Sequence, residues 1–397
     1  MKKIAFISKR MDIGGVEKAA LSILKRLDKD LYNVDYYYNK HGGKEGILFS
    51  EIPKWINEKE IIIPNRHTFK QVCTNIYQRI HFCYRYLWLY VNRNAGWSKY
   101  SRLLVKTAIV DKKSKYDVAI TFVGPRESEV FYTVHNINAR VKVLWIHGDI
   151  QREGITSENK IMEKCFDAYD YIIAVSENAK VVLCNTFPKL SKKVSVIYNY
   201  VDYLAIREAA LEYTNLYEGF EGLKIATVGR IAYDKGMIMA IMCCKILKDK
   251  GLKVKWILCG DGPVREKLEK VIEENDLKEE FILAGNLLNP YPVVRECDIY
   301  VQPSIQEGFC TASNEAKVLC KPIVVTDVCG MREQIEHGIS GLIVDISAEA
   351  ICEAICKYYD DPELMRKVVA ELEKQRWNCE VNYNEIIKGF LENGVGV

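Results

Sequence analysis

No stretch of the 397-residue chain reaches the eighteen or so apolar residues of a membrane-spanning helix. Cys-x-x-Cys is absent, and neither Cys243-Cys244 nor Cys352/Cys356 has histidine companions at zinc spacing. The first glycine loop reads Gly14-x-x-x-x-Ala19, without Gly-x-Gly-x-x-Gly or a Walker lysine, which argues against NAD and ATP sites and disfavours a dinucleotide oxidoreductase. Repeats, low-complexity runs and polar linkers are missing too. Met1-Lys2-Lys3 leads straight into a short β-like run, with no long apolar stretch or small-residue cleavage site. Several of the fourteen cysteines (Cys165, Cys184, Cys259, Cys297) sit in apolar contexts where a thiol behaves as a small hydrophobe. Reduced thiols in the cytosol are the expectation.

Charge is abundant but divided. Residues 1–200 carry 33 Lys and Arg against 20 Asp and Glu, while the remainder is acidic. A basic half suggests an anionic partner, and one segment points the same way. Residues 76–90 mix aromatics with Arg79 and Arg85, and Arg93, Lys99, Arg102 and Lys106 follow. Such a stretch suits the surface of an anionic membrane, and equally a core face with solvated arginines.

The chain is long enough for two domains of roughly 150–200 residues each. Short apolar, β-branched runs recur at 3–8, 34–38, 117–123, 141–147, 171–176 and 194–197, then at 223–228, 254–259, 281–284, 298–301, 323–326 and 341–344. Helical patterns fall between them, among them 16–27, 235–250, 264–275 and 314–320. Strands alternating with helices imply parallel sheets covered on both faces, so two such series predict two Rossmann-like α/β domains. The expected division is 1–203 and 204–377.

The most specific segment is Pro303-Ser304-Ile305-Gln306-Glu307-Gly308-Phe309-Cys310-Thr311-Ala312-Ser313-Asn314-Glu315-Ala316. A strand feeds a turn and the turn feeds a helix, with one carboxylate before the helix and another within its first turns. Helix N-termini at the carboxyl ends of parallel strands offer N–H groups to anions. Two acids there would repel a bare phosphate unless they accept hydroxyl protons beside bases. That pattern fits a nucleotide sugar.

Three more segments accompany it in order. Ile4-Ala5-Phe6-Ile7 leads to Gly14-Gly15-Val16-Glu17-Lys18-Ala19, Val228-Gly229-Arg230-Ile231 precedes Asp234-Lys235-Gly236, and Cys259-Gly260-Asp261-Gly262-Pro263 follows. With these four segments the chain resembles, over nearly its whole length, the retaining glycosyltransferases of family 4. The resemblance implies the GT-B fold, two Rossmann-like domains facing each other across a cleft. It also implies an acceptor-binding first domain, a nucleotide-sugar-binding second domain, and a last helix (about 378–397) that packs back on the first, anchored by Trp377, Ile386 and Phe390.

It further implies roles for single residues. Arg230 and Lys235 grip the donor diphosphate and neutralise the charge that develops as it departs, Arg as a fork and Lys as a point charge. Gly14 and Gly15 bring backbone N–H groups close to the diphosphate. Glu307 accepts from the donor sugar's hydroxyls, the N–H groups of Gly308, Phe309, Cys310 and Thr311 line sugar or phosphate, and Glu315 accepts from the ribose. His147, with Asp149 as a weaker candidate, orients the sugar or acceptor hydroxyl. The departing phosphate oxygen takes the acceptor proton, so no protein base is required.

Asp28-Lys29-Asp30 has the Asp-x-Asp form of metal sites in other glycosyltransferases, but it reads as a solvated turn far from the cleft, and no metal or cofactor is expected. The expected partners are a nucleotide-sugar donor, UDP-sugar over GDP-sugar, and a glycan or lipid-linked acceptor, with no nucleic acid. Capsule, exopolysaccharide or lipopolysaccharide synthesis in bacteria is the implied setting. The implied location is the cytoplasm, peripheral on the inner face of the cell membrane if the basic half meets lipid. A non-catalytic GT-B binding subunit, an inverting transferase and an epimerase remain open alternatives.

Overall fold

The computed structural model describes residues 1–12, 14–39, 46–61, 97–106, 108, 114–148, 150–151, 153–375 and 381–392. The basic aromatic segment 76–90, Arg93, Asp149 and Trp377 lie outside the described residues. The chain forms two compact units, Met1–Tyr198 with the chain from Val381 onward, and Asn199–Glu380.

In the first unit seven strands form one parallel sheet: β1 (Lys2–Ile7), β2 (Tyr32–Tyr38), β3 (Asn57–Glu60), β4 (Tyr116–Val123), β5 (Ala139–Ile146), β6 (Tyr171–Ala174) and β7 (Val194–Val196). Their order is β3-β2-β1-β4-β5-β6-β7. The chain winds outward from β1, returns to β4 and winds the other way, so the topological switch lies between β1 and β4, where such sheets bind ligands. The last helix, Tyr383–Leu391, belongs to this unit. Phe390 and Ile387 are buried, whereas Ile386 is half-buried. Phe390 packs against Tyr171 with ring centroids 5.2 Å apart, and Asn384 Oδ1 accepts from the Asp28 N–H at 3.0 Å.

The second unit is a six-stranded parallel sheet of β8 (Leu223–Val228), β9 (Val254–Cys259), β10 (Phe281–Gly285), β11 (Ile299–Gln302), β12 (Ile323–Thr326) and β13 (Leu342–Val344), ordered β10-β9-β8-β11-β12-β13. Side chains alternate between its faces with a period of two. Ile225, Trp256, Leu258, Ile299, Val301 and Val324 join one apolar cluster. Ala226, Ile257, Tyr300, Ile323 and Val325 join the other. Both faces are therefore buried under helices, which explains why these strands read as near-continuous apolar runs. The switch here lies between β8 and β11.

One strand escapes the sequence pattern. β3 (Asn57-Glu58-Lys59-Glu60) is polar throughout and, among the described residues, pairs only with β2. Charge on an exposed edge discourages pairing with another chain, so an edge strand has little reason to be apolar.

Candidate active site

The carboxyl ends of β8 and β11 bring most of the expected residues together. Arg230 follows β8, Glu307 follows β11, and the two loops are joined directly: the N–H groups of Ile305 and Gln306 donate to the Asp234 carbonyl at 2.8 and 3.1 Å. Beneath them a buried ladder stiffens the β11 exit. Tyr300 OH donates to Gln302 Oε1 at 2.8 Å, and Gln302 Nε2 donates to Ser304 Oγ at 3.1 Å.

Lys235 does not open the next helix, as the sequence pattern suggests. It ends a 3₁₀ turn, Tyr233–Lys235, and Gly236 separates it from the helix Met237–Asp249. Gly236 has φ +64°, and a Cβ there would run into the Pro303 carbonyl. A left-handed residue in such close approach to backbone admits glycine far more readily than any other residue. The break aims Lys235 across the loop junction, where its Nζ donates to both oxygens of Glu307 at 2.7 and 2.6 Å. An ammonium has three donors, so one remains after this pairing. The site therefore carries a neutralised pair in place of two independent groups.

Arg230 differs. Its side chain is 68% exposed and its ion pair with Asp234 is long, at 4.0 Å. A guanidinium so weakly held keeps its fork for an incoming anion. Glu315, half-buried on the helix Thr311–Val318, accepts from Tyr291 OH at 3.2 Å, and burial followed by the Glu315 carboxylate pushes the Tyr291 phenol well above its ordinary range. Sequence patterns gave no sign of Tyr291, which lies on a separate short helix, Tyr291–Glu296.

A second expectation is corrected. The N–H of Cys310 does not face a ligand, because it donates to the buried side chain of Gln334 at 3.0 Å. Cys310 itself is buried at the start of the helix Thr311–Val318, and its flanking residues Phe309 and Thr311 are half-buried. Gln334 was not legible as a site residue, since nothing in its local sequence distinguishes it from a solvated amide.

Gly14, Gly15 and His147 belong to the first unit, at the carboxyl edge of its sheet. Gly14 precedes the helix Gly15–Arg26 in extended conformation. The group folded over Gly14 is the Glu17 carboxylate, into which a Cβ at position 14 would collide. Burial pushes the Glu17 carboxyl above its ordinary range. Across the switch, Lys9 pairs with Glu127 and so ties the loop after β1 to the loop after β4. His147 follows β5, its N–H donating to the Val123 carbonyl at 3.0 Å. Its ring packs on Phe122 with centroids 4.1 Å apart, and its Nε2 is buried without a hydrogen-bond partner among the described residues. Burial lowers its pKa to about 3, so it is a neutral imidazole at physiological pH. Asp28 and Asp30 occupy a turn before β2, at the opposite edge of the sheet, where Asp28 Oδ1 accepts from the Asp30 N–H at 2.8 Å.

Residues 220–375 match the family described as Glycosyl transferases group 1. The capsular polysaccharide biosynthesis glycosyltransferase CapM of Staphylococcus aureus is 29% identical over 222 residues, 52% of this chain and 57% of that protein. The alpha-D-kanosaminyltransferase of Streptomyces kanamyceticus is 29% identical over 144 residues, 36% of this chain and 37% of that protein. The chain thus spans between about a third and three-fifths of the curated relatives it matches. Similarity in shape extends further. The structure of Anabaena HepE in complex with UDP and glucose has a TM-score of 0.70 at 16% identity, covering 99% of this chain and 100% of that one. That of Staphylococcus aureus TarM in complex with UDP, a substituted glycerol and fondaparinux has a TM-score of 0.67 at 15% identity, covering 98% and 100%. Residues 220–375 are thus similar to the group 1 glycosyltransferases, and the two parallel-sheet α/β units have the GT-B fold of these solved structures.

Proposed function

We propose that this protein is a retaining glycosyltransferase that moves a sugar from a nucleotide diphosphate sugar, UDP-linked in preference to GDP-linked, to a glycan or lipid-linked acceptor. The observation that carries the reading is the Lys235–Glu307 pair at the β8/β11 switch, flanked by an exposed Arg230 and by Glu315 on the following helix. Cations suited to a diphosphate and carboxylates suited to hydroxyls stand at the edge where such sheets hold ligands. A relative named for capsular polysaccharide biosynthesis and neighbours solved with UDP support the same reading.

In this reading the bond from the anomeric carbon to the diphosphate oxygen breaks, and a bond to the acceptor oxygen forms on the same face. Arg230 and Lys235 stabilise the charge that gathers on the departing diphosphate, an electrostatic contribution that is largest in a dry site. The acceptor's proton goes to the departing phosphate oxygen. Glu307 serves two partners, fixing Lys235 and accepting from the sugar. Glu315 accepts from the ribose. His147, a neutral imidazole, orients the sugar or acceptor hydroxyl without exchanging a proton. The setting we propose is polysaccharide assembly at the cytoplasmic membrane face.

The test is incubation with UDP-, GDP- and ADP-sugars, with and without glycan acceptors, followed by NMR of the product. An α-linked product from an α-linked donor is expected. A β-linked product would make the protein an inverting enzyme, an epimerised nucleotide sugar would make it an epimerase, and an inert chain that still bound glycan would make it a binding subunit.

A further inference from the structure

We propose that Gln334 is a positioning residue for the donor turn Glu307–Thr311, an inference that rests on the donor site proposed above. Gln334 lies just beyond the short helix Cys329–Arg332 and is 7% exposed. Its Oε1 accepts from the Cys310 N–H at 3.0 Å, and its Nε2 donates to the Cys310 carbonyl at 2.9 Å. One amide thus satisfies both polar groups of a single backbone residue, as a paired strand would. Cys310 is the N-cap of the helix Thr311–Val318, so fixing its N–H and carbonyl fixes where that helix starts and how its first N–H groups point.

The same helix grips Gln334 a second time. Lys317 Nζ donates to the Gln334 main-chain carbonyl at 2.6 Å. Lys317 is itself buried, and desolvation lowers its pKa to about 8. Gly330 completes the contact: a Cβ there would strike the main-chain carbonyls of Gly308 and Glu307, so the helix Cys329–Arg332 lies directly against the turn. Glu307, the turn and Glu315 are thereby referenced to one buried amide, 24 residues from Cys310 in sequence.

A role in placing the donor, as distinct from merely holding the fold, makes a specific prediction. Leucine at 334 removes both bonds to Cys310. Glutamate retains the acceptor but sets a carboxylate against the Cys310 carbonyl, until protonation restores a donor. UDP is the probe, titrated calorimetrically well below the melting temperature of each variant. Gln334→Leu is expected to weaken UDP about 10-fold or more, and to raise the donor KM more than it lowers kcat. Gln334→Glu is expected to bind weakly at about pH 8 and to recover toward wild type near pH 5, where a buried carboxyl takes its proton. UDP affinity within about two-fold of wild type in Gln334→Leu, even with a lowered melting temperature, overturns the proposal. If Gln334→Leu does not fold, Gln334→Glu decides: undiminished affinity at the higher pH overturns it, and loss with recovery on acidification supports it. A wild-type chain that binds none of UDP, GDP and ADP removes the donor site itself, and this inference with it.

Discussion

The ammonium of Lys235 sits against both carboxylate oxygens of Glu307, with side chains only 18% and 10% exposed. Burial lowers the lysine's hold on its proton, but Glu307, Cys310 and Asp234 together outweigh it, and the pKa stands above its ordinary value. The sign follows from linkage: the pair's stabilisation is complete below the unfolded value near 10.5 and is lost as pH rises through the higher folded value. The site therefore keeps its cation throughout the neutral range.

Removing one member of this pair strands the other. Lys235→Met is expected to destabilise the second unit by about 3 kcal/mol, because the buried Glu307 carboxylate loses its ion pair. Adding Glu307→Leu to that variant is expected to restore much of the loss. Chemical denaturation of both single variants and the double variant measures the coupling. Simple additivity would show that the two groups do not act as a pair.

His147 gives a prediction of the opposite pH sense. Its folded pKa of about 3 lies below the ordinary 6.5, so the unfolded chain takes a proton that the folded chain refuses. Stability therefore falls as pH drops from 6.5 toward 3, by up to about 1.4 kcal/mol per unit. His147→Gln is expected to lack this component, and denaturation midpoints of the two proteins at pH 7 and pH 5 compare them directly. Parallel losses would place the acid sensitivity elsewhere.

Tyr291 supports Glu315 through a hydrogen bond of 3.2 Å. Tyr291→Phe keeps the ring and removes that bond, which is worth about 1 kcal/mol and corresponds to a donor KM about five-fold higher, with kcat little changed. Steady-state kinetics over donor concentration reads the two separately. A fall in kcat at constant KM would move Glu315 from donor binding to the chemical step.

Gly236 is the hinge that turns Lys235 toward Glu307. Gly236→Ala is expected to cost about 1–3 kcal/mol, from a strained φ together with a Cβ pressed on the Pro303 carbonyl. Thermal unfolding checks it, and an unchanged midpoint would mean that the turn relaxes freely.

Much of this fold could be read from residue order. Strands Leu223–Val228, Val254–Cys259 and Ile323–Thr326 fall where apolar, β-branched runs place them, because a sheet buried on both faces leaves few polar positions to blur the signal. β3 was invisible for the converse reason, an edge that needs charge. Within the site, the glycines and acids of the turn were legible, since few arrangements need those residue types at that spacing. Gln334, Tyr291 and Glu17 were not. Their effect on the site arises from contacts across the fold or from a side chain folding back, as Glu17 does over Gly14, and neither leaves a periodic trace.

In the proposed site Arg230 and Glu315 bind the two ends of one nucleotide diphosphate, and Arg230 is exposed enough that removing it leaves the core untouched. Calorimetric titration of UDP into the wild-type chain, Arg230→Ala and Glu315→Gln tests it most directly. The expected result is binding by the wild type, weakened about 10-fold or more in each variant, as befits loss of a charge-assisted contact. Equal affinity in all three proteins, or no nucleotide binding by the wild type, would contradict it.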